Sequence, residues 1–278
     1  FAAGEAVIAF HHIPCKACFY CERKLYAQCA EYKKVGITAG FAAAGGGYAE
    51  YVRVMPWIVE RGVEKIPAGV SFEQASFVEP VNTCLKAVEQ SGVKAGDLAL
   101  VLGQGPIGLI FTMLLKRLGV QTLTTDAMAE RRAHSLRFGA GSSLDPMAGD
   151  LAAEAKALTG GRGADVAFVA ASAEGIVEQA VVATRPGAKI VLFAQTSDKE
   201  RIDVSGADIC KDERILMGAY SADVDLQSES ARLVFSGEIP VAELVTHRFP
   251  LQKIMAGVEL ATHPDEKSLK IVILPQQS

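Results

Sequence analysis

Short apolar runs of about five residues alternate with helix-length segments through the middle of the chain. The candidate strands of this region are Leu98–Leu102, Gln121–Thr125, Asp165–Val169 and Lys189–Phe193. The candidate helices are Leu109–Leu118, Ala129–Phe138, Leu151–Leu158 and Gly175–Thr184. Regular alternation of strand and helix predicts a parallel sheet, because each helix crosses over one face of the sheet and returns the chain to its starting edge. We therefore predict a doubly wound α/β domain.

The pattern on either side of this region is different. Before it, Val7–Phe10 and Tyr51–Val54 have the composition of strands, and the small residues of Ala42–Gly47 indicate a loop. After it, the pattern predicts one helix over Ile254–Ala261 and one strand over Lys270–Leu274. The predicted organisation has three segments: 1–84, 85–244 and 245–278.

Composition excludes several classes of protein. Half of the 278 residues are apolar, 22% are charged, and the net charge is -4, so a packed core is expected and a nucleic-acid surface is not. The most apolar stretch, Leu98–Leu115, contains a cluster of glycines and a proline. That cluster predicts strand, turn and helix in place of a membrane span. We expect a cytoplasmic protein with no membrane partner.

The strand Leu98–Leu102 runs directly into a GxGxxG motif. Its residues are Gly103, Gln104, Gly105, Pro106, Ile107 and Gly108. In a dinucleotide-binding site the first glycine permits a tight turn, the second lets the backbone approach a pyrophosphate, and the third lets helix and strand pack closely. The helix N-terminus then offers free N–H groups to the phosphates. We assign Gly103, Gly105, Pro106, Ile107 and Gly108 to cofactor binding.

The next strand ends at Asp126, which is the place for a carboxylate that binds the adenosine ribose hydroxyls. A carboxylate there would repel a 2′-phosphate, so NAD is favoured over NADP as the cofactor. Arg131 is expected to flank the adenosine. The alternative is a glycine turn in a nucleotide-free doubly wound domain, with Asp126 as a solvated strand end.

Four of the six cysteines lie close together in sequence, namely Cys15, Cys18, Cys21 and Cys29. This set can supply four thiolates to one tetrahedral zinc ion, and a site closed by four cysteines is structural. An iron–sulfur cluster and a metal-free reduced lobe are the alternatives. His11 and His12 precede the lobe, and we interpret them as strand-end residues because four thiolates already complete a tetrahedron. Cys84 and Cys210 have no partner in sequence, and we expect both to be buried and inert.

These motifs, in this order, resemble the zinc-containing alcohol dehydrogenases of the medium-chain dehydrogenase/reductase superfamily. The Glu79-Pro80 pair is most similar to the sorbitol (polyol) and threonine dehydrogenase branch. The resemblance also rests on Gly46–Val52, Ile66–Pro67, Gly187–Val191, Gly218–Ser221, Thr246–Leu251 and Ser268–Val272. It implies a Rossmann domain inserted in a partial GroES-like catalytic domain that consists of segments 1–84 and 245–278.

The resemblance also implies roles for further residues. Phe193, Ala194, Ala219 and Tyr220 would lie near the nicotinamide, and Glu79 would bind the catalytic zinc directly or through water. The alternative role for Glu79 is a first-turn charge that favours the dipole of its own helix. The family carries an early cysteine and a Gly-His-Glu segment that hold the catalytic zinc, and Phe1–Glu5 resembles the stretch after it. On that comparison, roughly seventy or more residues of the family layout precede this sequence.

The main functional hypothesis is hydride transfer from a secondary alcohol, either a polyol or a hydroxy-amino acid, to NAD in a homodimer or homotetramer. One alternative is a zinc-free medium-chain reductase of the quinone or enoyl type. The other is a non-catalytic NAD-binding protein.

Overall fold

A computed structural model describes residues 1–33, 46–194 and 201–276 of the chain. By its internal contacts the chain forms two compact units. The first comprises Phe1–Thr83 with Ser221–Ser278, and the second comprises Cys84–Tyr220. Most of the loop that was predicted at Ala42–Gly47 lies outside the described residues.

The second unit is built on a six-stranded sheet in which all neighbouring strands are parallel. Its strands are β3 (Leu98–Leu102), β4 (Gln121–Thr125), β5 (Ser142–Leu144), β6 (Ala164–Val169), β7 (Thr184–Leu192) and β8 (Ile215–Gly218). They lie in the order β5-β4-β3-β6-β7-β8, which is the order of a doubly wound dinucleotide-binding sheet. The predicted fold class is therefore confirmed. The helices of this unit are Pro106–Arg117, Ala129–Phe138, Leu151–Leu158, Ile176–Ala183 and Gly206–Cys210, and helix Val78–Ser91 leads into it.

Alternate residues of the central strand β3 serve the two faces of the sheet. Leu98, Leu100 and Leu102 belong to one buried cluster with residues of helices Leu151–Leu158 and Ile176–Ala183. On helix Pro106–Arg117, Phe111 stacks on Phe168 of the sheet with ring centroids 4.7 Å apart. Every residue of β3 is buried, so the end of this strand is fixed on both sides.

The first unit has two small sheets. Strand β1 (Val7–Ala9) pairs antiparallel with β2 (Val63–Lys65), and β9 (Val245–Pro250) pairs parallel with β10 (Lys270–Leu274). Its α-helices are Phe19–Glu22, Ala30–Lys33, Pro56–Gly62, Phe72–Ala75, Gln227–Phe235 and Ile254–Thr262. Its 3-10 helices are Tyr26–Gln28, Val224–Leu226, Val241–Leu244 and Leu251–Lys253. The helix and strand that were predicted after residue 245 are confirmed.

Two expectations about single segments are wrong. Tyr51–Val54 forms no strand, because Tyr51 is 87% exposed and a helix starts almost at once at Pro56, with Met55 as its N-cap. Cys84 is buried as expected, but Cys210 is exposed. Cys210 ends a five-residue helix, none of whose residues is buried.

The second junction between the two units follows Tyr220. Residues 221–244 belong to the first unit, because helix Gln227–Phe235 packs on helix Phe72–Ala75. The Gln74 side chain donates a hydrogen bond of 2.7 Å to the Val234 carbonyl between these helices.

Across the described residues, no helix combines the length and the apolar character that a membrane span requires.

Candidate functional site

The glycine motif forms the turn between β3 and the following helix. Gly103 has φ +95°, and its N–H donates to the Thr125 carbonyl at 2.8 Å, which ties the turn to the neighbouring strand β4. Gly105 is the N-cap of helix Pro106–Arg117, with the proline at its start. The first N–H groups of this twelve-residue helix therefore follow the turn without an intrahelical partner.

The three glycines of the motif are required for different reasons. A Cβ on Gly108 would lie 1.8 Å from the Gly103 carbonyl oxygen, and a Cβ on Gly103 would lie 2.5 Å from the Ala171 Cβ. These two glycines thus allow the turn, helix and sheet to approach one another. A Cβ on Gly105 would meet only the Arg131 Nη1 within 4 Å, at 3.9 Å. Gly105 therefore leaves open space beside the loop, as the close approach of a pyrophosphate requires.

Asp126 lies immediately after β4, and its carboxylate faces the glycine turn. Its Oδ2 accepts the Gln104 N–H at 2.7 Å, and its Oδ1 accepts the Met128 N–H at 2.9 Å. The nearby Arg131 Nε is buried and has no hydrogen-bond partner among the described residues. A carboxylate fixed by the turn and an unpartnered guanidinium nitrogen fit the ribose and phosphate groups of a dinucleotide.

The residues expected near a nicotinamide lie together at the carboxyl ends of adjacent strands. The N–H groups of Phe193 and Ala194 both donate to the Val169 carbonyl, at 3.2 and 3.0 Å. The Ala219 N–H donates to the Leu192 carbonyl at 3.1 Å, and Tyr220 follows it with half of its surface exposed. Parallel α/β sheets bind ligands at this edge.

The sequence did not single out Lys86, which the structure places at the same edge. Its side chain is buried, and its Nζ donates to the Tyr220 carbonyl at 3.0 Å. A lysine inside the apolar helical stretch Cys84–Val88 is the pattern that would have indicated it, because a buried ammonium requires polar partners.

The four cysteines of the lobe converge as predicted. Their Sγ atoms all lie within 4.8 Å of one another, with Cys15 and Cys21 at 3.8 Å and Cys18 and Cys21 at 3.5 Å. A regular tetrahedron with Zn–S bonds of about 2.3 Å has sulfur–sulfur separations of about 3.8 Å. The geometry of the donor set therefore fits one zinc ion.

The electrostatics of the lobe also favour a cation. Burial opposes ionisation of Cys29, but N–H groups that include that of Cys15 outweigh it and lower the pKa of Cys29 to about 7. Burial, followed by the neighbouring sulfur atoms, raises the pKa of Cys21 to about 12. The Cys29 thiolate thus forms readily, ionisation of Cys21 is opposed mainly by its burial, and a bound divalent cation would offset that cost.

Glu79 is placed apart from this donor set, in the first turn of helix Val78–Ser91. Its Oε1 lies 3.4 Å from His12 Nε2. The His12 ring stacks on that of Tyr32, with centroids 4.8 Å apart and planes 17° apart, and the Tyr32 hydroxyl donates to the Ala222 carbonyl at 2.7 Å. The Glu79 carboxylate therefore lies beside a stacked pair of rings, His12 and Tyr32, which the sequence did not indicate.

Comparison with known proteins agrees with this arrangement. The sequence profile of the zinc-binding dehydrogenases matches residues 106–235. The (R,R)-butanediol dehydrogenase of Neisseria gonorrhoeae is 33% identical over 240 residues, which cover 85% of this chain and 65% of that protein. The 2-dehydro-3-deoxy-L-galactonate 5-dehydrogenase of Pseudoalteromonas atlantica is 32% identical over 259 residues, which cover 91% of this chain and 71% of that protein. The chain belongs to the zinc-type medium-chain alcohol dehydrogenase family.

A solved structure supports the same assignment. A zinc-binding dehydrogenase of Sinorhizobium meliloti 1021 bound to NADP has a TM-score of 0.83 and 25% identity, over 99% of this chain and 78% of that one. The predicted family is thus confirmed. The chain spans less than two thirds of the length of the butanediol dehydrogenase and more than two thirds of the length of the other two dehydrogenases.

Proposed function

We propose that this protein is an NAD-dependent dehydrogenase that oxidises a secondary alcohol, with polyols or hydroxy-amino acids as the substrate class. The observation that carries the proposal is the contact between the Asp126 carboxylate and the glycine turn, 2.7 Å from the Gln104 N–H. This contact fixes a negative charge where the adenosine ribose binds in dinucleotide folds, and it favours NAD over NADP.

The residues of the second unit would each hold one part of the dinucleotide. Asp126 accepts hydrogen bonds from the ribose hydroxyls, and Gly105 gives the pyrophosphate access to the helix N-terminus. Phe193, Ala194 and Ala219 would border the nicotinamide ring. A bound NAD would supply the hydride acceptor for the carbinol carbon of the alcohol.

Cys15, Cys18, Cys21 and Cys29 would hold a structural zinc ion. Four thiolate ligands leave no open position, so this ion would cross-link the lobe and take no part in the reaction. Zinc–thiolate sites persist where thiols stay reduced, which favours a cytoplasmic location.

Glu79 is the proposed ligand, directly or through water, of a catalytic zinc ion. A catalytic zinc ion polarises the alcohol oxygen and lowers its pKa. Within the described residues, the cysteine lobe is the only set of three or more ligating side chains that is close enough for one ion. His12 and its stacked partner Tyr32 would orient the carboxylate.

The names of two relatives support the proposed polyol substrate class. Both curated relatives described above are named as dehydrogenases of compounds with several hydroxyl groups, a butanediol and a sugar acid. We extend this class, vicinal diols and polyols, to the present chain.

We further propose that the protein forms a homodimer or a homotetramer through β8, which is an edge strand of the parallel sheet. Its first residue, Ile215, is 48% exposed. An open strand edge with an exposed β-branched side chain favours pairing with a second copy.

The nucleotide site is tested by Gly105→Ala. The added methyl group meets no backbone atom within 4 Å and the glycine has an ordinary φ of -66°, so the fold should be unchanged while the space for the pyrophosphate is filled. We expect the dissociation constant for NADH, measured by fluorescence titration, to rise about tenfold or more. Gly206→Ala is the matched control, since it adds a methyl group in open space at another helix start of the same unit.

Unchanged NADH affinity in Gly105→Ala, with wild-type thermal stability, would contradict this placement of the cofactor.

Elemental analysis tests the cysteine lobe. About one zinc ion per chain is expected for a closed four-thiolate site. A chain that holds no zinc and oxidises NADPH with quinone or enoyl substrates would be a reductase of the other type.

A further inference from the structure

A second aspartate lies beside the adenosine end of the proposed nucleotide site. Strands β4 and β5 pair in parallel, with Thr125 opposite Leu144. Asp126 and Asp145 are the residues that follow these two positions, and the Asp126 N–H donates to the Leu144 carbonyl at 3.3 Å. The two carboxylates therefore emerge from neighbouring strand ends.

Arg132 connects the two strand ends. Its Nη1 donates to the Asp126 carbonyl at 2.7 Å and to the Ala127 carbonyl at 2.9 Å. The same nitrogen lies 3.3 Å from Asp145 Oδ2, in a pair whose side chains are 22% and 32% exposed. The positive charge of Arg132 is thus directed at Asp145 and at two carbonyl oxygens.

This arrangement bears on the choice between NAD and NADP. A 2′-phosphate brings about two negative charges next to the ribose hydroxyls, and guanidinium groups are its preferred partners. Arg132 contacts the backbone of Asp126, the residue that would bind these hydroxyls, so it is a cation close to where such a phosphate would lie. While Asp145 holds it, its charge is already neutralised.

We propose that Asp145 is a specificity-determining residue, which excludes NADP by engaging Arg132 at the adenosine end of the site. The inference rests on the proposed function, because it requires a dinucleotide at Gly103–Asp126. The two aspartates would have different roles. Asp126 would repel a 2′-phosphate directly, whereas Asp145 would act by neutralising Arg132.

Asp145→Asn tests the inference with little change in shape. Asparagine still offers the oxygen that accepts the Met147 N–H at 2.9 Å, but it no longer neutralises Arg132. We expect the dissociation constant for NADPH to fall about fivefold or more, while that for NADH changes less than about twofold. Both are measured by fluorescence titration at one low salt concentration, because salt screens charges of this exposure.

Two further variants separate the specific contact from general charge. Asp150→Asn removes the same charge from a neighbouring aspartate whose Oδ1 caps a helix at the Ala153 N–H, 2.9 Å away. It should leave both affinities unchanged. Adding Arg132→Gln to Asp145→Asn should abolish the gain in NADPH affinity.

The outcomes distinguish failure of the proposed function from failure of the role assigned to Asp145. Wild-type protein that binds neither nucleotide would overturn the proposed function. If the wild type binds NADH, the inference is overturned either by unchanged NADPH affinity in Asp145→Asn or by an equal gain in Asp150→Asn.

Discussion

The cysteine lobe and the glycine turn are both compact ligand sites, but different forces hold them. The lobe contains two α-helices of four residues each and a 3-10 helix of three. Helices this short are not stable by themselves in water. The glycine turn follows a strand whose residues are all buried and precedes a helix of twelve residues. We infer that packing shapes the turn before any ligand binds, whereas the lobe depends on its metal ion.

The two sites also differ in how their ligand-binding groups relate to their buried apolar residues. Cys21 and Cys29 are themselves part of the buried cluster of the lobe, with Tyr26, Ala27 and Tyr32. The ligands of the ion and the core of the lobe are thus the same residues. At the glycine turn, the groups that would contact a ligand are separate from the apolar residues of the sheet.

The largest effect is expected from loss of the lobe zinc through Cys21→Ser. Structural zinc sites contribute about 10 kcal/mol or more of apparent binding free energy, so the lobe should unfold locally when one thiolate is lost. Hydrogen exchange should show lost protection in residues 15–33 and retained protection in β3 and β4. Cys210→Ser is the control, because that exposed thiol is not part of the site.

Equal loss of protection in both units would show that the lobe and the sheet unfold together, which would remove the contrast drawn above. Retained protection in the lobe of a zinc-free variant would show that its packing suffices without metal.

The next effect in size is expected from Gly108→Ala. The added Cβ would lie 1.8 Å from a backbone oxygen that belongs to the glycine turn, so the helix must move away from the sheet. Overpacking of this kind costs about 3 kcal/mol. The free energy of unfolding, measured with urea, should fall by that amount, whereas Gly105→Ala should leave it unchanged. Equal stabilities of the two variants would contradict the steric argument.

A smaller effect concerns the response of the first unit to acid. Burial, and then the charge of His12, lowers the pKa of His11 to about 4, and the buried His11 Nε2 has no hydrogen-bond partner in the part of the chain that the structure describes. The unfolded chain binds a proton near pH 6.5 and the folded one only near pH 4. Stability is therefore lost as the pH falls from about 6.5 to 4, by roughly 2 kcal/mol for a partly exposed ring.

His11→Gln removes this titration, so the difference in free energy of unfolding between variant and wild type should shift in favour of the variant from pH 7 to pH 5. Comparison at both pH values cancels effects that the two proteins share, such as acid release of zinc. A difference that does not change with pH would contradict a neutral, buried His11.

Much of the nucleotide-binding unit could be predicted because its determinants are local in sequence. Strands Leu98–Leu102 and Gln121–Thr125 have the predicted bounds. The helix after the glycine motif starts at Pro106, three residues earlier than its apolar pattern suggested, since the proline fixes the first turn. The strand predicted at Lys189–Phe193 in fact begins at Thr184, because Arg185, Pro186 and Gly187 interrupt the apolar pattern of its first half.

The site was predictable only in part. The cysteine spacing identified the four thiols whose Sγ atoms converge within 4.8 Å. Nothing in the local sequence indicated that His12 would contact Glu79 or that Lys86 would contact Tyr220, since these partners lie far apart along the chain. The strand prediction at Tyr51–Val54 was wrong for a similar reason, because a strand also depends on partners that lie far away in the sequence. Strand composition is not enough without a neighbouring strand to pair with.

The sequence by itself determined the features that arise from spacing between near neighbours. These are the glycine turn that follows a strand, the clustered thiols, and the alternation of strand and helix that produces a parallel sheet. Only the tertiary structure decided which distant charges meet, as Arg132 and Asp145 do at the ends of two strands. The reason is physical, because the backbone geometry of a turn depends on the residues within it, whereas an ion pair between strands depends on the register that the whole sheet adopts.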